Sequence, residues 1–244
     1  MRPSAGNLLG VPDSPADVSP RDLVVAIDGP SGSGKSTVAR RVAAALGLRY
    51  LDTGAMYRAV TWWALERDVD LADTERVAQL ARELPLEQGL DPAAPTLAVA
   101  GTDIAAAIRT SRISAAVSAV ATNLGVRAEL VSRQQAVARV GGVVIEGRDI
   151  TTVVAPDAPV RVLLTADEQV RLSRRALEVH GSADAAAVDA TRDQVVRRDA
   201  DDSTVASFHE AADGVDVVDS SMLSLDETVD AILKLVEARS GVRA

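Results

Sequence analysis

With 244 residues, the chain has room for one sizeable hydrophobic core carrying an insert, because domains usually run ~100–200 residues. Its 35 acidic and 26 basic residues leave a net charge of −9, which repels the phosphate backbone that a non-specific nucleic-acid binder must neutralise, so no nucleic-acid partner is expected. Cysteine is absent, which excludes a disulfide framework and a thiolate metal site, and the two scattered histidines, His180 and His209, suggest no metal cluster. No apolar run approaches the ~20 residues of a membrane span and no signal-peptide core opens the chain, so a cytoplasmic protein with no membrane partner is expected.

Residues 1–22 place Pro3, Pro12, Pro15 and Pro20 among small and acidic residues, show no periodic apolar face and read as a flexible tail. Residues 23–28 form a short apolar run suited to a strand buried on both faces, and residues 36–46 have helical composition ended by Gly47. A second short strand is expected at 49–52, then a helix over 54–67 with Met56, Val60, Trp63 and Leu65 at helical spacing. Trp62 and Trp63 read as packing residues. A helix over 74–84 gives way to a proline- and glycine-rich stretch with the alternating run T-L-A-V-A, which predicts a small β insert at about 84–110. Helical patterns resume over 111–138. Strands are then expected within V-V-I-E-G-R-D, at 160–165 and at 215–219, with helices over 167–179 and 225–239. Residues 183–208 are rich in Arg and Asp with hardly an apolar stripe, as in a solvated segment that closes over a ligand. The main domain therefore spans 23–239, with a lid at about 180–208 and a short tail at 240–244. Strands alternating with helices imply an α/β fold with a parallel sheet covered on both faces.

The segment G-P-S-G-S-G-K-S-T comprises Gly29, Pro30, Ser31, Gly32, Ser33, Gly34, Lys35, Ser36 and Thr37. It fits the phosphate-binding pattern G-x-x-x-x-G-K-[ST] and sits between a predicted strand and a predicted helix, as that pattern requires. Its glycines let backbone N–H groups converge on phosphate, the helix adds its positive end, Lys35 reaches the terminal phosphates and the Ser36 hydroxyl lies on the Mg²⁺ side of a bound ATP. No N-K-x-D guanine-reading motif and no L-S-G-G-Q signature is present, which disfavours a GTPase switch or a transport ATPase. A nucleotide-dependent binding ATPase stays open, although it has little use for many arginines around an acceptor pocket.

Phosphoryl transfer onto a second phosphate brings two polyanions together and demands cations on both sides of the transfer line. Arginine suits that task because its planar fork binds phosphate oxygens in pairs and never deprotonates. Candidates are Arg58, Arg109, Arg127, Arg148, Arg174 and Arg198.

The phosphate loop, L-D-T-G-A-M-Y-R (51–58), I-R-T (108–110), V-I-E-G-R-D (144–149), A-P-D-A-P-V-R-V-L-L (155–164) and R-R-D-A-D-D-S (197–203) together resemble the bacterial cytidylate kinases, in order and spacing over about residues 23–239. The resemblance implies a P-loop kinase with a small β-containing monophosphate-binding insert and a helical lid, transferring the γ-phosphate of ATP to CMP or dCMP with Mg²⁺. It places the acceptor phosphate against Arg58 and Arg148, with Thr53 and Tyr57 lining the pocket, Arg109 nearby, and Ser118, Arg127 and Asp149 at the cytosine edge. Arg198 and Asp202 match the lid's R-D-x-x-D pattern, and Arg174 and Arg175 stand on the helix that leads into the lid. Lys35, Arg148, Arg174 and Arg198 are the implied catalytic cations. Simpler roles stay open: Asp149 as a turn cap, Tyr57 as packing, Ser118 as one small residue on an alanine-rich helix. The sequence departs from the family at Val205, where a lid arginine is usual. Small molecules are the expected partners of a monomeric enzyme, and kinases of UMP, shikimate or gluconate type are the close alternatives.

Overall fold

The computed structural model describes residues 18–244, apart from the side chains at 193 and 194. Five parallel strands form the central sheet: β1 (Val24–Asp28), β2 (Arg49–Asp52), β6 (Val143–Gly147), β7 (Val160–Thr165) and β8 (Asp216–Asp219), in the order β2-β6-β1-β7-β8. A second, antiparallel sheet contains β3 (Leu86–Gln88), β4 (Leu97–Val99) and β5 (Thr102–Asp103). Helices α1 (Lys35–Leu46), α2 (Thr53–Leu65), α3 (Thr74–Glu83), α4 (Ser111–Ala121), α5 (Leu124–Val140), α6 (Glu168–His180), α7 (Ala185–Ser203) and α8 (Leu225–Ser240) complete the chain.

Side chains alternate across a strand, so a strand buried on both faces feeds two cores. Leu23, Val25 and Ile27 pack with Val38, Val42, Ile232 and Val236 under α1 and α8, whereas Val24 and Ala26 join Met56, Val60, Val77 and Leu130 under α2, α3 and α5. The three-stranded insert has no core of its own, because Leu97, Val99, Ile104 and Ile108 belong to the second of these clusters. Trp62 and Trp63 pack at the margin of the same cluster.

Register decides where the chemistry gathers. Asp28 pairs with Gly147 in one neighbour and Leu163 in the other, and Asp52 pairs with Glu146. The carboxyl ends of β1, β2 and β6 therefore lie level, and the three motif-bearing segments leave the sheet at one edge, where ligands of open parallel sheets bind. Gly147 stands at this edge for a steric reason: a Cβ there would meet the Thr53 hydroxyl at 2.5 Å and the Ile150 side chain at 2.7 Å.

Three local readings of the sequence are corrected. The helical stretch 111–138 is two helices, because Asn123 caps α5 by accepting from Gly125 N and Val126 N. Residues 183–208 are no solvated segment: Val188, Thr191, Val195, Asp199 and Asp202 lie buried along one face of α7, and Leu172 and Ala176 of α6 pack with the two valines. The stripe escapes an apolar count because it ends in two aspartates. The expected tails also stop short. Residues 1–17 lie outside the described residues, but Val18 N donates to Ser240 O at 3.3 Å and Val242 packs into the α1–α8 core.

The buried Asp28 ends β1 and holds the turn after β6. Its Oδ1 accepts from Ile150 N at 2.9 Å, and its Oδ2 accepts from Thr151 N at 2.8 Å and from the Thr151 hydroxyl at 2.7 Å. Burial pushes its pKa up to about 6 although these bonds oppose the rise, so the carboxylate at neutral pH is held by its donors. Asp28→Ala leaves three buried donors without an acceptor and is expected to cost at least ~3 kcal/mol, at ~1–3 kcal/mol for each group that water does not reach. Urea unfolding followed by circular dichroism measures the shift, and a midpoint equal to wild type would contradict this account.

Candidate active site

The phosphate loop follows β1, and α1 begins at Lys35 with Gly34 as its cap at φ 86°, a conformation open chiefly to glycine. Lys35 is half-buried and its Nζ donates to Pro30 O at 3.3 Å. Burial, reinforced by the neighbouring Arg148, lowers its pKa to about 8, with Glu146 opposing. The Ser36 hydroxyl donates to Glu146 Oε1 at 2.7 Å, and the Tyr50 hydroxyl donates to the same oxygen at 3.3 Å. Burial and the nearby Asp52 push Glu146 up to about 7, with Lys35 pulling the other way. Asp52 caps α2 by accepting from Ala55 N at 2.9 Å and takes Arg109 Nη2 at 2.8 Å. A serine hydroxyl beside two strand-end carboxylates is a set of hard oxygen donors, and this fits Mg²⁺.

Arg148 leaves the turn after β6 and joins three elements. It donates from Nη1 to Gly29 O, from Nη2 to Asp199 Oδ1 at 3.0 Å and from Nε to Asp202 Oδ2 at 3.1 Å, and its guanidinium lies 4.6 Å from the buried Phe208 ring. Arg171 of α6 adds bonds to Ser31 O at 2.8 Å and to Asp199 Oδ2 at 2.7 Å, and Ser31 N donates to Asp199 at 3.0 Å. The α6–α7 hairpin is thus fastened to the phosphate loop. Arg198 sits 3.7 Å from Asp202, and burial with Arg148 alongside lowers its pKa.

Across the cleft, Arg58 is only 5% exposed. Its Nη1 donates to Ile108 O at 3.1 Å and to the Ser114 hydroxyl at 3.0 Å, and burial together with Arg198, Arg109 and Arg175 lowers its pKa to about 9. Arg58 and Arg198 are thus lowered by burial and neighbouring guanidinium groups, whereas Asp52 raises Arg109. Arg127 and Asp149 form a tight buried ion pair at the far end. Asp149 makes no capping bond to the helical turn Ile150–Val154 that it precedes, so the capping role is ruled out here. Burial raises its pKa and Arg127 restrains the rise.

Lys35, Ser36, Thr37, Thr53, Tyr57, Arg58, Arg109, Arg127, Arg148, Asp149, Arg198 and Asp202 line one cleft, with Ser31, Gly32 and Gly34 of the loop. Seven cations line it against five carboxylates, a local excess of positive charge in a chain of net charge −9. Five expected residues stand apart from it: Gly29, Pro30 and Ser33 of the loop, with Ser118 and Arg174. Ser118 is half-buried on α4, and Val117 and Ala121 line the cleft in its stead. Arg174 turns to the outer side of the loop, donating to the Ser220 hydroxyl at 2.9 Å, to Ser220 O at 2.8 Å and to Ser33 O at 3.4 Å. Its neighbour Arg175 lines the cleft. Thr53 spends its hydroxyl on Glu146 O at 2.7 Å. Val205 forms an apolar part of the wall.

Glu146 and Asp52 are the site residues that motif reading passed over. Both were legible as acids ending apolar strands beside the phosphate loop. Arg171 gave no such signal, since its partners Ser31 and Asp199 are distant in sequence, and Asp199 was legible only as the aspartate after Arg198 in R-D-x-x-D, not by its bonds to Ser31 and Arg148.

Comparison with known proteins bears on this geometry. The family model described as cytidylate kinase matches residues 25–238. A cytidylate kinase of Cutibacterium acnes is 48% identical over 221 residues, covering 90% of this chain and 98% of that protein. One from Streptomyces avermitilis is 43% identical over 225 residues, 91% of this chain and 95% of that protein. A bifunctional pantoate ligase/cytidylate kinase of a Synechococcus species is 44% identical over 229 residues, and the match takes up 45% of its length. Because the match begins in β1, ends in α8 and includes every segment that lines the cleft, the chain belongs to the cytidylate kinase family.

Proposed function

We propose that this chain transfers the γ-phosphate of ATP to CMP or dCMP, giving CDP or dCDP. The observation that carries the proposal is the two-sided cleft. A phosphate loop with Lys35 and Ser36 forms one wall, Arg58, Arg109 and Arg175 stand opposite, and Arg148 and Arg198 lie between them. The lowered pKa values of Arg58 and Arg198 are relieved when phosphate enters, so part of the electrostatic cost held in the fold returns as acceptor binding. The donor's phosphates lie over the loop, and its base lies on the outer groove between Leu177 and Leu225, where Arg174 and Ser220 form the polar wall. Ser36, with Glu146 and Asp52 behind it, would hold Mg²⁺, which supplies charge neutralisation between the β- and γ-phosphates.

The chain's own groups do the remaining work. Lys35 follows the migrating phosphoryl group, Arg58 and Arg148 hold the acceptor phosphate in line, and the α6–α7 hairpin keeps water from the transfer path. The Asp149 carboxylate accepts from the cytosine 4-amino group and Arg127 donates to N3 or O2. Asp202 Oδ1 is buried without a hydrogen bond and is free to accept from the sugar. The insert at about 84–110 and the lid at about 180–208 bind monophosphate and close the site, and the enzyme works as a cytoplasmic monomer. Among the described residues, no helix is long and apolar enough to cross a membrane.

The decisive test is ATP consumption measured across CMP, dCMP, UMP, AMP, shikimate and gluconate. Turnover is expected with CMP and dCMP, and Lys35→Met should retain the fold while losing at least ~10²-fold in kcat. A wild type inert toward cytidine monophosphates would overturn the proposal.

Base choice gives a second expectation. Uracil presents a carbonyl where cytosine presents an amino group, so Asp149 would face another acceptor at ~1–3 kcal/mol. CMP should exceed UMP at least ~10-fold in kcat/KM, and Asp149→Ala should narrow that ratio mainly by damaging CMP. An unchanged ratio would remove Asp149 from base reading.

The third expectation concerns pH. The folded pKa of Glu146, about 7, lies above its ordinary value of 4.5, so its proton stabilises the magnesium-free fold fully below pH 4.5 and is lost as pH rises through 7. Glu146→Gln is neutral throughout. Between about pH 5 and 7.5, unfolding midpoints in EDTA should fall further for wild type than for Glu146→Gln, while Asp28 titrates alike in both. Parallel pH profiles would refute the raised Glu146.

A further inference from the structure

Arg58 of α2 meets the protein through a single nitrogen. Its Nη1 donates to Ile108 O at 3.1 Å, in the short helical turn Ala107–Arg109, and to the Ser114 hydroxyl at 3.0 Å, on α4. Among the described residues these are its only hydrogen bonds. A guanidinium carries five N–H groups, so the one on Nε and the two on Nη2 stay available in a side chain that lines the cleft. An edge of this kind lets the planar fork take two phosphate oxygens side by side.

Ser114 is itself buried at 7% exposure and does not line the cleft. On α4 it is this serine, rather than Ser118 one turn later, whose hydroxyl meets a cleft cation. Ile108 O alone would let the guanidinium swing about one bond, whereas two acceptors on the same nitrogen fix the plane of the fork. Both acceptors are neutral, and that decides their effect. A carboxylate in either place would meet the charge of Arg58 before a ligand arrived, but a hydroxyl and a carbonyl orient the fork and leave its charge to be met from the cleft.

We infer that Ser114 is a positioning residue for the acceptor phosphate, holding Arg58 Nη1 so that Nε and Nη2 are presented to the cleft. It touches no substrate and acts through Arg58. The inference rests on the proposed function, because it requires an acceptor phosphate on that guanidinium.

Steady-state kinetics with CMP and ATP, together with Tm, read three variants. Ser114→Ala removes the hydroxyl that a charged donor uses, and kcat/KM for CMP should fall ~10-fold while KM for ATP stays within about twofold of wild type. Ser114→Thr keeps the hydroxyl and should bring kcat/KM for CMP back to within about threefold of wild type. Ser114→Asp supplies the carboxylate that the site lacks, so it should lose more CMP activity than Ser114→Ala although its charge lies outside the cleft. A Ser114→Ala value for CMP within about twofold of wild type overturns the inference. So do an equal rise in KM for ATP, no recovery in Ser114→Thr at a Tm equal to wild type, or a folded Ser114→Asp more active than Ser114→Ala, since each makes Ser114 an ordinary packing residue of α4. A wild type inactive toward CMP would instead strike the proposed function, which keeps the two failures distinct.

Discussion

The guanidinium of Arg148 is the interaction on which the site depends. It reaches Gly29 O at the start of the phosphate loop and the buried Asp199 and Asp202 of α7, so three segments distant in sequence meet on one planar cation. Lysine has no equivalent, since an ammonium cannot offer a flat fork to three acceptors in different directions. The arrangement is affordable only because Asp199 and Asp202 neutralise the charge: a buried cation without such partners carries a desolvation penalty of several kcal/mol.

Asp28 completes the connection from below. Arg148 and Asp149 occupy the two residues before the backbone donors that Asp28 holds. The carboxylate before the phosphate loop therefore fixes the turn after β6, and Arg148 returns the bond to the loop. Donor and acceptor sides are thereby set in one frame, which in-line transfer requires, because small misplacements of reacting groups are costly in rate. The level register of β1, β2 and β6 provides this frame.

Electrostatics in the cleft are held out of balance. Lys35 and Arg58 are both lowered by burial and by neighbouring cations, while Glu146 is raised by burial and by Asp52. In each case burial and like charges outweigh the partners the protein supplies. Phosphates and a divalent cation would be the complementary charges, as the proposed function requires.

The amino-acid sequence by itself determined the parallel α/β framework, the phosphate loop and most of the lining cations. Their signals are local: apolar runs of strand length, a glycine pattern between strand and helix, and arginines inside contiguous motifs. Asn123 shows the limit of that reading, since one capping amide divides a continuous helical pattern in two. Only the tertiary structure decided which of two adjacent arginines faces the cleft. Arg174 and Arg175 are neighbours in sequence, and helix rotation against Ser220 sends the first outward and leaves the second lining the site. It also decided that Asp199 and Asp202 belong to a buried face and that Glu146 accepts from Ser36. Those relations join residues many turns apart, and they follow from strand register and helix packing, which no local pattern encodes.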